Sequence, residues 1–170
     1  IKFEIGGDFI SEKEIILRLF ISLIIGGLTG LEREKSNQFA GFRTHILVAV
    51  GSCITSITAV QLFISYSSYS NMDPARLPAQ VLSGIGFIGA GAILKNSSGI
   101  TGLTTAAGIW ATACIGIAIG YGQYLLGIVA WVLEMITLLS LKRIDKLFFK
   151  KSSCNLYLTI SSLDAITTTF

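Results

Sequence analysis

The chain has 170 residues, of which 52% are hydrophobic and only 14% are charged, and its formal net charge is +3. A soluble domain of this length could bury a good core but could not keep so much apolar surface in solution, so the composition excludes an ordinary soluble protein. The small positive charge predicts no nucleic-acid partner, because the lysines and arginines cluster beside apolar segments.

The three cysteines show no spacing typical of a redox pair or a metal site. Cys53 and Cys114 lie inside apolar segments, Cys154 lies far along the chain, and there is no C-x-x-C motif. Small cysteines in apolar surroundings usually serve packing. The sequence therefore predicts neither a zinc site nor any other cofactor.

Five apolar segments are long enough, or nearly so, to cross the hydrocarbon layer of a bilayer. In chain order they are 15–31, 44–64, 77–94, 103–120 and 124–141. Ser11 and Glu14 form a capping-box pattern before the first segment, and Asp73 followed by Pro74 is a start signal for the third. We therefore predict an all-α, polytopic membrane protein with a five-helix transmembrane bundle in residues 1–141.

Residues 142–170 differ in character from the rest of the chain. A basic juxtamembrane stretch is followed by Leu156, Leu158 and Ile160, which alternate with polar residues at the period of a half-buried strand. One strand buries nothing alone. We interpret this segment as the beginning of a truncated cytoplasmic C-terminal domain, or as a strand that pairs with another chain.

The positions of lysine and arginine predict the orientation in the membrane. Nine of them lie in the loops after the first and third segments and in the tail, and three lie on the opposite side. By the positive-inside rule, the N-terminus is outside and the C-terminus is in the cytoplasm. We expect a multi-pass protein of the plasma membrane.

Small residues recur at every fourth position, and the fourth segment carries Thr104, Gly108, Thr112, Gly116 and Gly120. Residues four apart share a helical face, and in membranes small residues let helix backbones approach closely. We predict helix-packing roles for Gly26, Gly30, Gly84, Gly86, Gly89, Gly91, Gly108 and Gly116. The contacts are within one bundle or between copies, and because five short segments bury little we expect a homo-oligomer.

The third segment contains the spacing G-x-G-x-x-G at Gly84, Gly86 and Gly89. A dinucleotide-binding turn also needs a preceding strand and an acidic residue about 20 positions later. No Asp or Glu occurs between Asp73 and Glu134, so we reject this interpretation. An alternative is that the glycines break the third helix and let its backbone line a cavity.

The loop between the first two segments is dense in charge for so apolar a protein. Glu32 and Arg33 lie at the end of the first segment, and Arg43, Thr44 and His45 open the second. The loop is either an ordinary solvated one with snorkelling cations, or a functional contact surface whose arginine and histidine face protein or headgroups.

A second polar group lies at the outer mouth of the third segment. Asp73, Arg76 and Gln80 are spaced three and four apart, which places them on one helical face. Either Asp73 and Arg76 pair with each other, or the mouth receives a polar ligand or a partner helix.

Two ionisable residues fall within the apolar segments. Glu134 lies about 15 Å beyond Tyr124 along a helix and so near the bilayer centre, where a carboxylate is protonated or lines aqueous space. Arg18 is about one turn into the first segment and can reach outward. With His45 as the single histidine and no catalytic motif, we expect that the protein is not an enzyme.

Several sequence blocks, in order, resemble the MgtC/SapB family of bacterial membrane proteins. The blocks are Gly27-Leu-Thr-Gly-Leu-Glu-Arg-Glu-Lys35, Ala40-Gly-Phe-Arg-Thr-His45, Asp73-Pro-Ala-Arg76 with Ala79-Gln80, Val81 through Gly91, and Gly102-Leu-Thr-Thr-Ala-Ala107 with Trp110-Ala111. The family positions matched here are Glu32, Arg33, Arg43, Thr44, Asp73, Arg76, Gln80 and Thr104. Glu134 matches no family motif.

The resemblance implies five spans and a cytoplasmic C-terminal domain, which is ACT-like in longer members. It also implies a bacterial plasma-membrane protein linked to magnesium adaptation and virulence-related survival, acting as a regulator of other membrane proteins. The expected partners are the lipid bilayer, other membrane proteins and further copies of the chain. The alternative function is a small-ion or solute channel or transporter subunit, with the glycine-rich third segment and Glu134 as its path.

Overall fold

The structure is a computed structural model and describes residues 9–66, 72–97 and 99–148. These residues form five α-helices and one short two-stranded ribbon. The elements are α1 (Glu12–Lys35), α2 (Phe42–Tyr66), α3 (Arg76–Gly91), β1 (Leu94–Asn96), β2 (Gly99–Thr101), α4 (Leu103–Gly120) and α5 (Tyr124–Phe148). The predicted strand near residue 156 and its domain lie outside the described residues.

Three of the helices, α1, α2 and α4, are long and apolar enough to cross a membrane. The apolar part of α5 is shorter and runs from Tyr124 to Ser140, although the helix itself continues past the predicted end at residue 141 to Phe148. With 16 residues, α3 falls short of the roughly 20 that a perpendicular crossing needs. The predicted order of five helices is found, and helix length by itself supports three spans.

The predicted helix starts are found with different local chemistry. The Ser11 side chain accepts a hydrogen bond from the Glu14 amide at 3.3 Å, as an N-cap should. Asp73 Oδ1 accepts from the Ala75 amide at 2.9 Å, but α3 begins only at Arg76. Pro74 therefore belongs to the turn before the helix, and its predicted place at the first helical position is wrong.

The third apolar segment ends earlier than predicted. The helix stops at Gly91, and Leu94 pairs with Thr101 in an antiparallel β1–β2 hairpin that replaces the expected polar loop. Gly102 follows with a φ of 88°, a conformation that glycine adopts without steric cost. Because α3 is continuous from Arg76 to Gly91, the alternative of a broken third helix is wrong.

Helix α4 lies at the centre of the bundle and contacts α1, α2, α3 and α5. We call the end that carries the α1–α2 loop the loop end, and the end that carries the α4–α5 turn the turn end. In the turn-end half, Ile25, Cys53, Ile57, Ile115 and Ile119 form a buried apolar cluster. A second cluster of α2, α3 and α4 residues joins α3 to the bundle through Ile85.

Glycines bring three of the helix backbones into contact. An ideal Cβ at Gly26 would lie 2.7 Å from the His45 carbonyl oxygen, and one at Gly30 would lie 2.6 Å from Phe42 Cα, so α1 presses directly on α2. An ideal Cβ at Gly116 would collide with the Ala49 carbonyl oxygen, so α4 presses on α2 in the same way. Small residues thus allow the close backbone approach that favours helix association in bilayers.

The glycines of α3 have a different environment. Gly89 makes an ordinary contact with α4, because an ideal Cβ there would lie 3.6 Å from Ala106 Cβ. Gly84, Gly86 and Gly91 have no described neighbour within 4 Å of an ideal Cβ. The predicted packing role of these three glycines is therefore not found among the described residues of one chain.

Candidate functional site

The α1–α2 loop is held in one conformation by its own hydrogen bonds. Ser36 Oγ donates to Glu32 Oε1 at 2.7 Å, and Gln38 Nε2 donates to the Ser36 carbonyl at 3.0 Å. The Glu34 carboxylate accepts from the Phe42 amide at 2.9 Å and so caps the start of α2, where an anion is favourable. The charged loop is therefore an ordered connection rather than a loosely solvated one.

Arg33 points into the bundle and is only 5% exposed. Its Nη2 donates to Thr105 Oγ1 at 3.3 Å, and its Nη1 lies 3.6 Å from Glu32 Oε2. Thr105 Oγ1 in turn donates to Gln38 Oε1 at 3.1 Å. A buried guanidinium is stable only with such partners, and these contacts tie α1, the loop and α4 together.

His45 is completely buried at the start of α2. Its Nδ1 lies 3.0 Å from the Gly41 carbonyl oxygen, and because a carbonyl only accepts, Nδ1 is the donor. In the neutral ring Nε2 is then an acceptor, and it has no hydrogen-bond partner among the described residues. Nε2 faces Gly108 on α4, 4.0 Å from where an ideal Cβ of that glycine would lie.

Glu134 reaches the same region from α5. Thr112 Oγ1 on α4 donates to Glu134 Oε1 at 3.2 Å, while Oε2 has no partner in the described part of the chain. Arg33 is near enough to attract the carboxylate electrostatically. Glu134 is therefore joined to the loop-end polar residues, a neighbourhood that the sequence did not predict.

Helix α4 aligns these side chains. Thr105, Gly108 and Thr112 are three and four residues apart, so they share one face along about 10 Å of helix. Thr105 binds Arg33, Gly108 faces His45, and Thr112 binds Glu134. We call the six side chains of this arrangement the loop-end polar cluster, which comprises Glu32, Arg33, His45, Thr105, Thr112 and Glu134. No group of three or more metal-binding side chains occurs within residues 9–66, 72–97 and 99–148.

A separate set of contacts closes the turn end. Arg18 Nη1 donates to the Gly120 carbonyl at 2.9 Å, where a cation stabilises the C-terminus of α4. Arg18 Nη2 lies 3.0 Å from Glu14 Oε1, and the Tyr124 hydroxyl donates to the same carboxylate. Arg18 thus extends towards the turn end of the bundle, where it is held between the ends of α1, α4 and α5.

The predicted outer mouth is an open cavity of about 500 Å³ between α2 and α3. Asp73, Arg76 and Gln80 line it, and all three are exposed. Asp73 and Arg76 form no ion pair in the described structure, so the predicted pairing is not found. Nearby, the Tyr121 hydroxyl donates to the Pro74 carbonyl at 2.7 Å, and burial, with a smaller contribution from the charge of Asp73, raises the pKa of Tyr121.

The structure brings four of the predicted site residues together and leaves others apart. Glu32, Arg33, His45 and Glu134 meet in the loop-end polar cluster, whereas Arg43 and Thr104 are exposed and Thr44 is partly buried. The sequence analysis missed Thr105 and Gln38, and it assigned Thr112 only to packing. The two adjacent threonines, Thr104 and Thr105, could have indicated a hydroxyl facing the bundle, because adjacent helical residues face different directions.

The chain is similar in sequence to several known bacterial proteins. Residues 19–147 match the MgtC family model. The chain is 42% identical over 156 residues to YhiD of Escherichia coli K12, which carries a provisional magnesium-transporter name; the match covers 91% of this chain and 71% of YhiD. It is 47% identical over 116 residues to SapB of Bacillus subtilis, covering 66% and 50% of the two chains.

MgtC of Salmonella typhimurium LT2 is 39% identical over 109 residues, which cover 64% of this chain and 44% of that protein. No solved structure matches the chain. The matched region runs from α1 through α5 and contains every member of the loop-end polar cluster. On this evidence the chain is a membrane protein that belongs to the MgtC family.

Proposed function

We propose that this protein is a regulator that binds other proteins of the bacterial plasma membrane during adaptation to low magnesium, and that it is not an enzyme. Its family and the magnesium-related name of one relative support the magnesium connection. The observation that carries the regulatory role is the ordered α1–α2 loop and the surface it presents.

The loop exposes side chains suited to a protein interface. Phe39 in the loop is 69% exposed, and Arg43 in the first turn of α2 is exposed near it. Aromatic residues and arginine are enriched at interfaces between proteins. Because hydrogen bonds from Ser36, Gln38 and Glu34 already order the loop, a partner pays little conformational entropy on binding it.

The regulatory role is tested in a bacterial strain whose growth at limiting magnesium depends on this protein. The double substitution Phe39→Ala with Arg43→Ala is expected to abolish growth while the protein remains inserted at its normal level. The matched control is Lys13→Ala with Phe20→Ala, which also removes an exposed cation and an exposed phenylalanine, but from the turn-end half. Normal growth of the loop variant would contradict the proposal.

A second candidate function is a small-ion conductor, favoured by the buried polar atoms around Glu134. Flux of magnesium, potassium and protons in liposomes distinguishes the two, with Glu134→Gln beside the parent. A regulator is expected to show no flux of any of these ions when the protein is folded and inserted. Flux that disappears in Glu134→Gln would replace the regulatory role with conduction.

The proposed topology has five spans, with the loop end and a small ACT-like C-terminal domain in the cytoplasm. The nine lysines and arginines on that side, against three on the other, support it. In intact cells an impermeant maleimide is expected to label Lys13→Cys and not Lys35→Cys. The opposite labelling pattern would reverse the orientation.

The proposal includes a homo-oligomer. It is supported by the outward side of α3, where Gly84 and Gly91 leave open space and Phe87 is 85% exposed. Small residues beside a large one suit contact between helices of neighbouring chains.

A further inference from the structure

Four members of the loop-end polar cluster each have one buried atom without a hydrogen-bond partner among the described residues. The atoms are Arg33 Nε, His45 Nε2, Glu134 Oε2 and Glu32 Oε2, the last of which lies 3.6 Å from Arg33 Nη1. Buried polar atoms are almost always paired with protein or with ordered water. Four such atoms on the side chains of α1, α2 and α5 indicate an occupant that the protein groups do not supply.

Gly108 provides the space for that occupant. An ideal Cβ at Gly108 would meet only His45 Nε2 among the described residues, at 4.0 Å, whereas one at Gly120 would lie 2.6 Å from the Cys53 carbonyl oxygen. Glycine at position 108 is therefore not needed for backbone contact. It leaves room beside His45 on the face of α4 that also carries Thr112, the residue bound to Glu134.

We propose that water molecules fill the space at Gly108 and connect His45 Nε2 with the Glu134 carboxyl group, so that Glu134 binds and releases a proton through the loop end of the bundle. Water suits the site because it both donates and accepts hydrogen bonds. Nε2 of the neutral His45 ring is an acceptor, and so is Oε2 of the ionised Glu134 carboxylate. The proposal is independent of the regulatory role.

The charged and titratable groups around Glu134 and His45 define how the proton is held. Around Glu134 these are Arg33 on α1 and Cys114 on α4, and around His45 they are Arg33 and Glu32 on α1. A proton from the loop-end solvent adds to His45 Nε2 while Nδ1 keeps its bond to the Gly41 carbonyl. The proton then passes through water to Glu134 Oε2, which leaves a neutral imidazole and a carboxylic acid. The reverse transfer restores the imidazolium and the carboxylate.

Beyond the proposed site, the turn-end half of the described interior is more apolar. Towards the turn end, the apolar cluster of Ile25, Cys53, Ile57, Ile115 and Ile119 fills the interior, and Gly116 and Gly120 press on the backbone of α2. Apolar packing of this kind excludes water. The proposal is therefore of a proton-binding pocket at the loop end and not of a pathway across the membrane.

The test is infrared difference spectroscopy of the parent protein in liposomes during a pH titration. A protonated-carboxyl band is expected to appear as the pH falls, to be absent in Glu134→Gln, and to shift promptly when D₂O replaces water. Gly108→Ala is expected to lose this prompt exchange, because its methyl group displaces water without a steric clash.

The matched control is Gly51→Ala, which adds the same methyl group where an ideal Cβ has no described neighbour within 4 Å. It is expected to exchange as the parent does. A second variant, His45→Phe, removes the ring nitrogen and is also expected to lose prompt exchange. Exchange in Gly108→Ala as fast as in the parent, or no band that depends on Glu134 at any pH, would overturn the proposal.

Discussion

The two halves of the bundle use the same helices in opposite ways. In the turn-end half, α1, α2 and α4 enclose isoleucines, and the glycines Gly116 and Gly120 press against the α2 backbone. In the loop-end half, the same three helices enclose Arg33, His45 and Thr105, and Gly108 touches no backbone. Between α4 and α2, close backbone packing is thus confined to the turn-end half. In the loop-end half α1 presses on α2 through Gly26 and Gly30, but the interior also holds polar groups that a membrane tolerates only with partners.

The largest expected loss of stability comes from disrupting the polar half. Arg33→Ala removes the partner of Thr105 and the cation beside Glu32 and Glu134, and breaking a buried charge interaction of this kind costs about 3 kcal/mol. Denaturant unfolding in mild detergent measures the loss. The exposed Lys35→Ala is the control, and equal stability of the two variants would show that the polar cluster does not hold the loop end together.

The next largest loss of stability is expected from a steric clash in the turn-end half. Gly116→Ala places a methyl group against the Ala49 carbonyl, where only backbone movement can relieve the clash, so we expect a loss of about 1–3 kcal/mol. Gly108→Ala, with no clash, is expected to unfold like the parent in the same detergent assay. If Gly116→Ala and Gly108→Ala lower the free energy of unfolding equally, the proposed difference between the halves is wrong.

A smaller loss of stability is expected from a hydrogen bond at the boundary between the two halves. Trp131 Nε1 donates to the fully buried Thr29 Oγ1 at 3.1 Å, and Thr29 lies between Ile25 and Arg33 on α1. Trp131→Phe is expected to cost about 1 kcal/mol because it removes the donor. A double-mutant cycle with Thr29→Val checks this, since additive losses would mean that the hydrogen bond contributes nothing.

The smallest effect concerns pH at the turn end. Because the pKa of Tyr121 is raised in the folded protein, the folded state binds this proton more tightly than the unfolded state, and stability falls as the pH rises above about 10. Tyr121→Phe is expected to cost about 0.5 kcal/mol at neutral pH through the lost bond to Pro74, and to weaken this alkaline destabilisation. Unfolding curves at neutral and alkaline pH measure both, and an unchanged alkaline slope would contradict the assignment.

The candidate site was predictable only in part. Arg43 and His45 were marked as unusual by their position beside an apolar segment, because ionisable groups there need partners. The structure buries His45 and leaves Arg43 exposed, and the buried arginine is Arg33. Which hydroxyl Arg33 binds was not predictable: Thr104 and Thr105 are adjacent, and one step along a helix turns the side chain by about 100°. That choice depends on the rotation of α4 against α1.

The sequence by itself determined the five helices, their order and the start of α1 at Ser11, because apolar length and capping are properties of short stretches of chain. Only the tertiary structure decided which glycines touch a neighbouring backbone and that Glu134 joins Arg33 through the face of α4. The physical reason is that every small residue allows a close approach, but only the packing of the whole bundle determines which helix makes it.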